Sequence, residues 1–183
     1  MHNDWFDDDD VNSQQKAFLD VVRESARSWP ECPPDMTFVL LYPDPEDEDD
    51  EYIAPKPSGY TEYDTVMEQA FASKESVLTA IVEIIDFGEN LRLKVLGATF
   101  VGNSLICMER GDTFWPEPSR DVKPLHATGS PEELGRIAAD WFEEIARRPV
   151  IHAPSPPGRW YSVTPGTALP PGHRWARNEP GTG

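Results

Sequence analysis

The spacing of apolar residues divides this chain into helical stripes, short apolar runs and long polar breaks. Phe18, Val22, Ala26 and Trp29 recur at three- or four-residue steps, and Leu19 widens the stripe. That pattern predicts an amphipathic helix. Asn12 or Ser13 caps it, it runs to about Ser28, and Pro30, Pro33 and Pro34 stop it. Met36 to Tyr42 (MTFVLLY) is a near-continuous apolar run rich in strand formers and reads as a buried strand. Tyr63, Val66, Met67, Ala70 and Phe71 share one face of a helix from Thr61 to about Ala72.

Val77 to Phe87 is rich in β-branched residues. A helix accounts for it almost as well as a strand, but its neighbours favour the strand. Gly88-Glu89-Asn90 are turn formers, and Leu91-Arg92-Leu93-Lys94-Val95 then alternates with period two. A second turn, Gly102-Asn103-Ser104, precedes Leu105-Ile106-Cys107-Met108. The expectation is a three-stranded antiparallel meander, with Leu91, Leu93 and Val95 toward the core and Arg92 and Lys94 outward. Residues 111–129 show no period and read as a long connection. The clearest helix follows. Ser130 is the N-cap, Pro131 takes the first helical position, and Glu133 completes a capping box. Leu134, Ile137, Ala138, Trp141, Phe142 and Ile145 form its apolar face, and Arg147 and Arg148 sit at its negative end. These elements imply an α+β fold: an antiparallel sheet of about four strands with the 12–28 and 131–147 helices on one face.

The polar breaks set the domain limits. Residues 1–10 form an acidic arm, 11–148 one domain with an acidic, proline-rich loop at 43–59, and 149–183 a tail. That tail holds eight prolines and five glycines together with Trp160, Tyr161 and Trp175. It is expected as an extended strap across the body or as a mobile segment.

Charge narrows the function classes. The chain has 183 residues, 16 Lys+Arg against 33 Asp+Glu, and a net charge of −17. The segment from Arg147 onward carries five arginines and one acid, net +4, so the remainder carries −21. Such a body repels a phosphate backbone and an anionic bilayer surface, which argues against direct nucleic-acid or membrane binding. No apolar run approaches the roughly 20 residues of a spanning helix. The opening MHNDWFDDDD is acidic where a secretion signal is basic, so a cytoplasmic location is expected.

Recognisable reaction chemistry is sparse. Cys32 and Cys107 are too far apart for a metal or redox motif and read as idle thiols. His2, His126, His152 and His173 share no ligand spacing, and no metal or cofactor is expected. Counting from Asp44, a calcium loop would need Gly where Asp49 stands and Glu where Pro55 stands. Glu83, inside an apolar strand, is the one acid whose setting suggests a catalytic group, and no partner for it can be named from sequence.

The stretch GSPEELGRIAADWFEEIARRPV (residues 129–150) resembles the closing helix of small uncharacterised proteins of high-GC actinobacteria, some of which sit in toxin–immunity loci. The resemblance implies an immunity role and carries over no functional residue. It ends at Val150, because Ile151-His152-Ala153 runs straight into Pro154-Ser155-Pro156-Pro157.

Dense carboxylates steer cationic proteins and can fill a groove built for phosphates. The functional expectation is therefore a non-catalytic acidic protein that neutralises a basic protein partner, with an immunity protein for a toxin as the concrete version. Asp7, Asp8, Asp9 and Asp10, with Asp44, Glu46, Asp47, Glu48, Asp49, Asp50 and Glu51, are the candidate partner-binding residues. Trp5 and Phe6 are the candidate apolar anchors. An adaptor subunit docking through residues 149–183 and an enzyme without a recognisable motif are the alternatives.

Overall fold

The computed structural model describes residues 5–6, 10–29, 34–42, 58–86, 91–110, 122–153 and 159–177. Helix α1 is Ser13–Ala26, and its Asn12 side chain accepts from the Gln14 and Gln15 amides. The Gln15 side chain bonds back to the Asn12 amide, which closes the capping box. A single 3-10 turn, Pro34–Met36, leads into strand β1 (Thr37–Tyr42). Helix α2 is Thr61–Ser73. Strands β2 (Val77–Asp86), β3 (Leu91–Val101) and β4 (Ser104–Arg110) follow, then the short β5 (Leu125–Thr128). Helix α3 (Pro131–Ala146) carries the expected capping box of Ser130 and Glu133. The Ser130 amide and hydroxyl hold the Glu133 carboxyl below its ordinary pKa. Strands β6 (Val150–Ala153), β7 (Arg159–Ser162) and β8 (Arg174–Arg177) close the order.

β1 to β5 form one antiparallel sheet in sequence order, so every connection joins neighbours. Period-two alternation then sorts the strand residues onto two faces. Leu78, Ala80, Val82 and Ile84 of β2, Leu96, Ala98 and Phe100 of β3, and Leu105 and Cys107 of β4 meet α1 and α3. Those helices contribute Phe18, Leu19, Val22 and Ala26, and Leu134, Ala138, Trp141, Phe142 and Ile145. Phe18 stacks on Phe100 with ring centroids 4.9 Å apart. α1 and α3 approach closely at Gly135, where a Cβ would lie 2.7 Å from the Phe18 carbonyl oxygen. A helix-interior glycine normally weakens a helix, and here the close approach accounts for it. Val77, Val101, Ile106 and Met108 point the other way and pack with Tyr63, Met67 and Ala70 of α2. The α+β fold with two helices on one face is present, and β5 brings the strands of this sheet to five.

Three findings differ from the sequence-based expectation. β5 lies inside the stretch read as a plain connection. Part of the tail is folded, because β6 pairs with both β7 and β8 in a second antiparallel sheet, and Val150 joins the main core. Lys94 is not outward. The β2–β3 register shifts between Ile84 and Ile85, which changes the simple alternation. Leu93 joins the α1/α3 core, Val95 stands opposite Arg110, and the Lys94 side chain is 1% exposed. Its ammonium donates to the Glu109 carboxylate at 2.7 Å, which compensates a charge that would otherwise be buried unpaired.

Candidate acidic binding surface

The three helices carry their surface acids in different company. On α1, Asp20 accepts from Lys16 at 3.1 Å and from Arg23 at 3.3 Å, and Glu24 accepts from Arg27 at 2.7 Å. On α3, Glu143 pairs with Arg147, Glu144 pairs with Arg148 at 2.6 Å, and Arg136 stands four residues from both Glu132 and Asp140. Each such pair is worth only about 0.3–0.5 kcal/mol, yet it cancels the local field.

α2 differs. Glu62 and Glu68 are exposed and Asp64 is half-buried. The positions three and four residues after them hold Thr65, Val66, Met67, Glu68, Phe71 and Ala72, with no cation. Asp64 and Glu68 are a like-charge pair at four-residue spacing, an arrangement that destabilises a helix. One oxygen of Asp64 accepts the Ser58 amide at 2.8 Å, which anchors the approach to the helix. Tyr60 at the N-cap makes no side-chain cap bond. Among the described residues, α2 is thus an acidic helix that no partner on its own surface neutralises, and exposed Glu75 extends it just past its end.

The sequence-based site residues fall into three groups. Phe6 is fully buried, with its ring centroid 6.2 Å from those of both Trp29 and Phe142. Its amide donates to Thr37 Oγ1 at 3.0 Å, and its carbonyl accepts from Arg23 at 2.7 Å. Phe6 adopts φ +50°, a left-handed conformation that a bulky residue keeps only where its surroundings enforce it. It belongs to the core and offers no exposed anchor. Trp5 is half-buried, set edge-on to Trp29, and its carbonyl accepts from Arg23 at 3.0 Å. Asp10 is exposed. Asp7, Asp8 and Asp9, and the whole run Asp44, Glu46, Asp47, Glu48, Asp49, Asp50 and Glu51, lie outside the described residues. The acids of α2 escaped the sequence reading, although the signal was there: three acids in seven residues with no lysine or arginine one turn away.

Polar groups beneath α2 are mutually engaged. Thr79 and Thr99 stand opposite in the ladder with hydroxyls 3.0 Å apart. The Arg110 guanidinium donates to the Tyr63 hydroxyl. Burial raises the Tyr63 pKa, and Arg110 partly offsets that effect. Arg110 reaches this position by lying across Gly97, where a Cβ would come within 2.7 Å of its Cδ. Glu83 is partly exposed and accepts from Arg92 at 2.9 Å. Cys107 is buried in the core, and burial pushes its thiol far above its ordinary pKa, so it is a poor nucleophile.

Among the described residues no three His, Cys, Asp or Glu side chains are grouped to hold a metal ion, and no helix is long and apolar enough to cross a membrane. No protein-family model, no curated protein and no solved structure matches the chain.

Proposed function

We propose that this chain is a non-catalytic acidic binding protein that captures and neutralises a basic protein partner, in its concrete form an immunity protein acting on a toxin in the cytoplasm. The observation that carries the reading is the contrast in charge compensation. Asp20 and Glu24 on α1 and Glu143 and Glu144 on α3 are paired in place, while among the described residues Glu62 and Glu68 of α2 are exposed with no cation one turn away. The run Asp44 to Glu51 precedes that helix in the chain and adds seven carboxylates within eight residues. Uncompensated carboxylates at this density raise association rates with cationic surfaces and compete with phosphate for a basic groove. Asp7 to Asp10 add to the field, with Trp5 beside them as apolar contact area.

The test is a titration of the immobilised full chain with a small basic ribonuclease, and with an acidic protein as control, across a series of salt concentrations. Affinity should fall steeply with salt. Replacing the acids of 44–51 by Asn and Gln should weaken binding by more than about tenfold and flatten that salt dependence. Unchanged affinity in the neutralised variant would remove capture by charge.

A further inference from the structure

Strand β7 ends at Ser162 and β8 begins at Arg174, and the proline-rich connection between them folds as two tight turns in series. Its start is tied to the body, where the Val163 amide donates to the Pro149 carbonyl at 2.9 Å. The first turn is Thr164-Pro165-Gly166-Thr167. The Thr167 amide donates to the Thr164 carbonyl at 3.0 Å, and the Thr167 hydroxyl donates to the same oxygen at 2.6 Å. The second turn is Pro170-Pro171-Gly172-His173, closed by the His173 amide on the Pro170 carbonyl at 3.1 Å. In each turn a proline is followed by a glycine at positive φ, +86° at Gly166 and +78° at Gly172. Proline at the second position and a left-handed glycine at the third define a type II turn.

These turns set the backbone between them. Leu169 and Pro170 each precede a proline, which drives them out of the helical region into extended, polyproline-type geometry. Pro171, as the second residue of a type II turn, takes the same geometry. Leu169-Pro170-Pro171 is therefore one turn of a polyproline II helix, which has three residues per turn. Its surface is apolar. Among the described residues Leu169 is the one large apolar side chain that is exposed, at 37%, and Ala168 and Pro171 beside it are exposed as well. Leu169 belongs to neither core cluster, so the packing of the fold does not account for it. The surroundings are basic: from Arg147 to Arg177 the chain holds five arginines and no Asp or Glu, and exposed Arg174 comes three residues after Pro171.

From this arrangement we infer that residues 168–174 are a docking ridge for a second protein, one whose surface groove is lined with aromatic rings and rimmed with carboxylates. Such a groove reads a polyproline turn by seating its apolar ridge between the rings. The two turns hold the ridge in its bound shape beforehand, so little conformational entropy remains to be lost on docking. The carboxylate rim follows from the arginines around the ridge, which favour a groove of opposite sign. This partner carries the opposite charge to the basic protein of the capture reading. The inference thus goes beyond that reading and stands on residues that capture does not use.

The test is a titration of the isotope-labelled full chain with a set of isolated SH3, WW and EVH1 domains, in which acid-rimmed and lysine-rimmed grooves are both represented. Acid-rimmed members should shift the amide resonances of Ala168, Leu169, Gly172 and Arg174, and lysine-rimmed members should not. Leu169→Asp should weaken that binding by more than about tenfold. Pro171→Ala should weaken it by about two- to fivefold, because the free backbone regains states that proline forbids. Leu169→Met should bind like the parent. The resonance map is read on the parent chain, so it decides the matter even where a variant unfolds. The inference is overturned if no domain of the set shifts these amides, if the shifts fall on α2 instead, or if Leu169→Asp binds as well as the parent. It is also overturned if the same amides move with the chain's own concentration alone, since the ridge then seats a second copy. None of these outcomes touches the capture reading, which the ribonuclease titration decides separately.

Discussion

The sheet has two faces, and the residues laid on them differ in kind. The α1/α3 face is apolar and aromatic apart from the Lys94–Glu109 pair: Phe6, Phe18, Phe100, Trp29, Trp141 and Phe142 fill it, and the outer surfaces of its helices are laced with short-range ion pairs. The α2 face is smaller. Its core of Tyr63, Met67, Ala70, Val77, Val101, Ile106 and Met108 is mixed with buried polar groups, and the helix above carries acids with no cation partner among the described residues. One face is arranged to hold the fold. The other gives up some helix stability, through the Asp64–Glu68 repulsion and a missing side-chain cap, in a way that makes sense if those carboxylates serve an external partner.

The largest expected effect breaks the first face. Phe142→Ala removes a ring that contacts Phe6, Trp29 and Trp141, and should cost about 3–5 kcal/mol in urea unfolding. Met67→Ala on the second face should cost about 2 kcal/mol, near the lower end for such truncations, because half-exposed Val66 and Phe71 can settle into the gap. Equal losses would mean that both faces hold the fold alike.

A smaller effect probes the polar interior under α2. Thr79→Val leaves the Thr99 hydroxyl buried without its partner and should cost about 1–2 kcal/mol. The double change Thr79→Val with Thr99→Val should recover most of that loss, since both hydroxyls go while the branched shape stays. A double variant as weak as the sum of the singles would show that the hydroxyls serve some group other than each other.

What could be read from the sequence follows the same division. α1 and α3 announce themselves by caps and by apolar residues at helical spacing, and the β2–β4 meander by its turns and its Val/Ile content. β5 was hidden because a four-residue strand, LHAT, is too short to show a period. β6, β7 and β8 were masked by the prolines and glycines around them, since composition reports on the connections more than on four-residue strands. Lys94 was misplaced because alternation assumes an unbroken register, and the shift at Ile84/Ile85 depends on the partner strand. Phe6 reads as an acidic-arm residue from its neighbours, yet burial of one ring outweighs the charge beside it. The acids of 44–51 stood out by density. Those of α2 became visible as a site only when the paired acids of α1 and α3 supplied the contrast.

The smallest expected change in stability is also the one that separates the two faces by sign. Glu68→Lys places a cation four residues after Asp64, so repulsion becomes attraction in the favourable order, acid before base. The new charge also sits in the second half of α2, where the helix dipole favours a cation. Stability should rise by about 0.5 kcal/mol, read as a higher midpoint in thermal or urea unfolding. On α1 the mirror change, Lys16→Glu, turns the attraction to Asp20 into repulsion and should lower stability by a similar small amount. Binding should move differently: Glu68→Lys should weaken capture of the basic partner, while Lys16→Glu should not. A helix that becomes more stable as its protein binds less well is what a surface kept acidic for a partner requires. If Glu68→Lys instead lowers the unfolding midpoint, the carboxylate serves the fold, and the contrast between the faces is one of packing alone.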